Sequence, residues 1–93
     1  MKTNNVRQEI LTAAIKHYGV GAQWSKAIEE LSELIRALAR ADDRENIAEE
    51  MADVHIMLDQ LEIIFHNRDL VREWELKKLK RLDKRLGVAE EIR

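Results

Sequence analysis

No proline interrupts this chain, and glycine stands only at positions 19, 21 and 87. A chain without proline keeps every backbone donor, and one with so few glycines has little means of making the tight turns that hairpins and barrels require. Long helices punctuated near those glycines follow, and with them an all-α class. The 93 residues form one domain, 1–93, with no repeat, linker or low-complexity segment to divide it. A chain this short buries only about 60–65% of its unfolded surface, so a partner or a ligand is expected to complete its core.

The apolar periodicity predicts four helices. Asn5 with Gln8 reads as a capping box for the first, whose stripe of Val6, Ile10, Ala13, Ala14 and Ile15 runs to Tyr18 before the Gly19-Val20-Gly21 break. Trp24, Ala27, Ile28, Leu31, Leu34, Ile35 and Leu38 recur at three and four residues and give one face of a second helix ending near Ala41. Asp42 and Glu45 form a capping box for a third helix reaching His66, and Asn67 caps a fourth that Gly87 closes. Short connections favour antiparallel neighbours, so the expected architecture is a four-helix antiparallel bundle.

Composition removes several classes of function. With no cysteine there is no disulfide, thiolate metal site or cysteine nucleophile. Sixteen basic against eighteen acidic residues leave a net charge of −2, so no global field draws the chain to nucleic acid. The longest apolar run is far below the ~20 residues of a membrane span, and the expectation is a cytoplasmic protein with no membrane partner.

The acids sit in unusual places. At about 100° per residue, Ile47, Met51, Val54, Met57, Leu58, Leu61, Ile64 and Phe65 share one side of the third helix, and Glu50 falls inside that stripe with Asp53 at its edge. A carboxylate among apolar neighbours is costly unless a cation or a hydrogen-bond network compensates it. Helix two supplies Glu29, Glu30 and Glu33, which read either as a solvated face eased by Lys26, Arg36 and Arg40 or as part of a site. Glu50 likewise reads either as half of a buried salt bridge to an arginine or as a ligand. An antiparallel pair of helices can set Glu30 and Glu33 opposite Glu50 and Asp53, and four converging carboxylates suit a hard cation, magnesium or manganese. Asp59 and Glu62 lie away from this cluster. A di-iron bundle would place glutamate three residues before histidine, but His17, His55 and His66 follow Ala14, Ala52 and Ile63 at that offset.

Glu29-Glu30-Leu31-Ser32-Glu33 and Glu50-Met51-Ala52-Asp53 together spell EExxE…ExxD, with sixteen residues between Glu33 and Glu50. That pattern, over roughly residues 17 to 65, resembles the MazG-like all-α nucleoside triphosphate pyrophosphohydrolases. The resemblance implies that Glu30, Glu33, Glu50 and Asp53 ligate magnesium, and that the reaction converts an NTP or dNTP to its monophosphate and pyrophosphate. Water attacks the α-phosphorus, and a carboxylate free of metal takes its proton, with Glu29 the first candidate and Glu49 the second.

The triphosphate also needs cations from the protein. Lys77, Lys80, Arg81 and Lys84 share one broad side of the fourth helix and are the expected phosphate contacts, as family members place basic residues beyond the second acidic motif. A solvated basic helix end is the plainer reading of the same residues. For the base, the resemblance points to Gln23 and Trp24, although Trp24 is also in phase with the apolar stripe. Phosphoribosyl-ATP pyrophosphohydrolase is an alternative in the same superfamily, but Asp53-Val54-His55 matches its pattern poorly. A non-catalytic helical interaction module is the alternative of another class. Ala52, Ile56 and Ile63, opposite the main stripe of helix three, predict a homodimer or dimer of dimers. Sites at or near subunit contacts are also what the resemblance implies.

Overall fold

A computed structural model of the chain describes residues 2–88, with side chains from residue 5 onward. The described residues form four helices and no strand: α1 (Lys2–Tyr18), α2 (Val20–Ala39), α3 (Arg44–Phe65) and α4 (Arg68–Leu86). No helix among them is long and apolar enough to cross a membrane.

The centre of the fold is the hairpin of α2 and α3, on which α1 packs. Ala27 and Ala37, 2% and 1% exposed, line the inner side of α2, and Val54 and Met57 are the buried apolar residues of α3. Between the two helices Gln23 Nε2 donates to Gln60 Oε1 at 2.7 Å, both residues buried. On α1, Leu11 is buried, and Val6, Ile10 and Leu11 face Ile56 of α3 across a shallow apolar recess. Arg7 fixes the same pair of helices through Asp59, at 2.7 Å from Nη2 and 2.8 Å from Nε.

The helix ends depart in detail from the sequence expectation. Helix α1 begins before Asn5, which therefore lies inside it and caps nothing. The break before α2 is narrower than Gly19-Val20-Gly21: Gly19 alone interrupts the helix, at φ 94° and ψ 152°, a region essentially reserved for glycine, and Gly21 is helical. Helix α3 is capped by Asp43 rather than Asp42, its carboxylate accepting from the Asn46 amide at 2.8 Å. Asp42 instead accepts from Asn46 Nδ2 at 2.6 Å and from Arg40 Nη2 at 3.1 Å. Helix α4 starts after Asn67 and ends on Gly87 at φ 66°, as its sequence suggests, although Asn67 makes no side-chain capping bond.

Two larger differences concern packing. The apolar residues of α2 divide into an inner line with Ala27, Leu34 and Ala37 and an outer line with Trp24, Ile28, Leu31, Ile35 and Leu38, the outer line exposed. Helix α4 packs its backbone against α3 alone, so one chain does not close a four-helix bundle by itself. Arg68 Nε donates to Glu62 Oε1 at 3.2 Å beside the α3–α4 turn.

The α2–α3 and α3–α4 turns share one backbone motif. After α2 the Asp42 amide bonds to the Ala37 carbonyl and the Ala41 amide to that of Leu38; after α3 the Asn67 amide bonds to Glu62 and the His66 amide to Ile63. This pairing demands a left-handed residue, which here is Ala41 at φ 55° and His66 at φ 52°. An L-residue pays about 1–2 kcal/mol in that conformation, while glycine adds back roughly 0.4–1 kcal/mol of unfolded-state entropy. Ala41→Gly should therefore stabilise the fold by about 0.5–1 kcal/mol. Thermal unfolding at fixed protein concentration should show a midpoint a few degrees higher; an unchanged or lower one would mean that Ala41 is not strained.

Candidate metal centre

The inner sides of α2 and α3 carry acids as well as apolar residues, and the hairpin brings the two sets together. Carboxylate oxygens of Glu30, Glu50 and Asp53 lie within 4.8 Å of one another, all three side chains partly buried. Their positions follow from helical phase. Glu30 is one turn from Ala27 on the inner side of α2 and is 13% exposed, whereas Glu29, one residue earlier, points outward at 61%. On α3, Glu50 is one turn before the buried Val54, and Asp53 one turn before the buried Met57.

Of the four residues that the two motifs imply as ligands, three thus meet. Glu33 is outside this triad, partly exposed, with Arg36 Nη2 at 3.4 Å from its Oε2. Its charge is nevertheless the largest of those that bear on Glu50. The Glu50 carboxyl is held above the usual carboxylate range first by partial burial, then by the charges of Glu33, Asp53, Glu30 and Glu49. Among the described residues no lysine or arginine ion-pairs with Glu50, so it is not half of a buried salt bridge.

The cation of the cluster is Lys26. Its ammonium lies 3.2 Å from Glu30 Oε2 and 4.0 Å from Glu29 Oε1. Its pKa is raised, first by the hydrogen bond to Glu30, then by the charges of Glu29 and Glu30. One ammonium facing three carboxylates leaves net negative charge in a partly desolvated space. Three oxygen donors of that charge and hardness suit a small divalent cation such as magnesium or manganese.

The remaining expected residues are distributed around this centre. Glu49 is exposed on α3 beside Glu50, close enough to raise its pKa, and Glu29 shares Lys26 with Glu30. Gln23 is buried and spends its amide on Gln60, so it belongs to the α2–α3 core and does not present its side chain to a ligand. Trp24 is half-exposed and meets Phe65 edge-to-face, ring centroids 5.0 Å apart. Lys77, Lys80, Arg81 and Lys84 are exposed on α4, and none of them ion-pairs with the acids; the Lys77 ammonium sits 4.9 Å over the Trp74 ring. Asp59 and Glu62 lie apart from the cluster as expected, engaged by Arg7 and Arg68. The Gln23–Gln60 pair had no sequence signal beyond two glutamines in phase with apolar residues.

Scans of the chain against protein-family models, curated proteins and solved structures return no match.

The raised pKa of Glu50 carries a definite sign. The folded state binds this proton more tightly than the unfolded chain, so the contribution is favourable at low pH and is lost as the pH rises from the ordinary carboxylate range through the raised value. Glu50→Gln should therefore flatten that loss and, without metal, raise the thermal midpoint at neutral pH. Millimolar magnesium should raise the wild-type midpoint by several degrees against sodium chloride of equal ionic strength, and much less in Glu50→Gln. A lower metal-free midpoint for the variant would show that Glu50 is held by a favourable partner.

Proposed function

We propose that this chain is a magnesium-dependent nucleoside triphosphate pyrophosphohydrolase, acting on phosphoric anhydride bonds to yield a monophosphate and pyrophosphate. The observation that supports it most is the meeting of Glu30 with Glu50 and Asp53, which joins the two halves of EExxE…ExxD in space. Resemblance to the MazG-like enzymes supplies the chemistry, and the donor set fits the cation that this chemistry needs.

In this reading Glu30, Glu50 and Asp53 hold magnesium, or manganese in its place, and Glu33 joins them by turning from Arg36. The bound ion supplies positive charge that neutralises phosphate oxygens and eases deprotonation of the attacking water. Glu29 or Glu49, both solvent-facing and both outside the triad, takes the proton. Lys26 has its ammonium at the rim of the triad, where it exchanges Glu30 for a phosphate oxygen once the carboxylate is engaged. Trp24, with half its ring open, offers a face for stacking a base. The exposed α4 cations Lys77, Lys80, Arg81 and Lys84 contact the phosphates from an α4 brought to the site in a homodimer or dimer of dimers. A cytoplasmic location, where nucleotides are pooled, belongs to the same reading.

The apolar exposure described above is also what a non-catalytic interaction module would present, so the assay must separate the two. Pyrophosphate release measured across NTPs and dNTPs with magnesium should be positive for at least one nucleotide. Glu50→Gln should lower it at least about 100-fold with helicity unchanged, since even outer partners of metal ligands cost 10–100-fold. Glu75→Gln on α4 is the control; Asp59 and Glu62 do not serve, because each anchors an arginine. No release from any nucleotide, or equal loss in both variants, would sink the reading.

A further inference from the structure

Three arginines converge on one recess, and it lies on the side of α3 away from Glu50. Asp59 follows Glu50 by nine residues, which at about 100° each places the two on opposite sides of the helix. At Asp59 a recess of about 360 Å³ is lined by Arg7 and Gln8 of α1, Asp59 of α3, and Arg68 and Arg72 of α4. All five side chains are polar, whereas the recess between α1 and Ile56 is mostly apolar. Small-molecule sites typically enclose roughly 300–1,000 Å³, so there is room for more than one tetrahedral anion.

The carboxylates at hand do not satisfy these arginines. Arg7 spends Nη2 and Nε on one oxygen of Asp59, at 2.7 and 2.8 Å. Arg68 gives Nε to Glu62 at 3.2 Å, beside the recess. Arg72 has no ion-pair partner among the described residues, so three guanidiniums stand against two carboxylates and one whole fork of donors is unused. Their placement is unfavourable as well. Arg68 opens α4 and Arg72 follows four residues later on the same face, two like charges at the end of a helix whose dipole disfavours cations. Among the described residues the backbones of α1 and α4 do not pack on each other, so direct packing does not account for Arg7 and Arg72 sharing a recess.

We infer that this recess binds a di- or polyphosphate anion, which bridges α1 to α4 through Arg7, Arg68 and Arg72. Guanidinium forks match phosphate oxygens in pairs, and forks held on different helices suit a ligand with more than one phosphoryl group. Asp59 aims the Arg7 guanidinium and is neutralised by it, Glu62 does the same for Arg68, and the surplus charge is that of Arg72. A divalent cation, which the acids on α2 and α3 suit, meets a single carboxylate here among three cations. The inference does not depend on the hydrolase reading, because the recess and Glu50 stand on opposite sides of α3.

Inorganic pyrophosphate titrated into the full chain in metal-free buffer, with ionic strength held by sodium chloride, should bind saturably by calorimetry and slow hydrogen exchange in the first turns of α4. Sulfate, a single tetrahedral dianion too small to span the two helices, should bind more weakly. Arg72→Gln should weaken pyrophosphate binding at least about tenfold, the loss of one charge-assisted hydrogen bond, with helicity unchanged because the side chain is exposed and unpaired. Arg44→Gln removes the same charge from the exposed start of α3 and should bind as the wild type does, as should Glu50→Gln. Absence of saturable binding, equal weakening in Arg72→Gln and Arg44→Gln, loss of binding in Glu50→Gln, sulfate binding as tight as that of pyrophosphate, or unchanged exchange in α4 overturns the inference. None of these outcomes depends on whether any nucleotide is hydrolysed.

Discussion

The close approach of α2 and α3 rests on Ala27 and Ala37, the most completely buried of the described side chains. Helix axes pack at 8–10 Å depending on the side chains between them, and alanine takes the near end of that range. Everything of chemical interest follows from the proximity, because Glu30 lies one turn beyond Ala27 and is carried to Glu50 and Asp53 by the same contact. Bulky residues at 27 and 37 would push the helices apart and disperse the acids. The alanines also leave the large aliphatic residues of α2 facing out, so the geometry that assembles the site empties the chain's own core.

That trade is consistent with the electrostatics. Carboxylates gathered in a partly desolvated groove work against folding, and the apolar contacts holding them there are few. Lys26 offsets part of the repulsion, and the raised pKa of Glu50 reflects its partial burial first and the neighbouring negative charges second. A cation in the groove would relieve that repulsion, and would do so by binding the folded state alone.

Much of this was legible in the residues. The absence of proline, the glycines at 19 and 87 and the three- and four-residue spacing of apolar positions sufficed for four helices, and helical phase alone marked Glu50 as misplaced for a surface acid. What periodicity does not carry is depth. It groups Ala27 with Leu31 on one side of α2, but which of two adjacent apolar lines faces α3 depends on side-chain size, and the small residues won. Turn geometry was hidden for a different reason: the left-handed positions are filled by alanine and histidine, so the glycine signal for a helix end was missing at 41 and 66. Glu33 is outside the triad and has Arg36, one turn away on the same helix, as its ion-pair partner, a local pairing that the motif spacing does not reveal.

The hydrogen bond between Gln23 and Gln60 has a role that apolar contact cannot fill. Alanine against an aliphatic surface is tolerant of position; a hairpin slid along itself by one turn, about 5.4 Å, would still bury methyl groups. An amide is not tolerant. Slid by that amount, both glutamines would lose their partner inside the protein, at roughly 1–3 kcal/mol for each group left unsatisfied. The pair thus acts as an alignment key that discriminates among registers of one antiparallel hairpin, and the register it selects is the one in which an acid of the first motif stands across from both acids of the second.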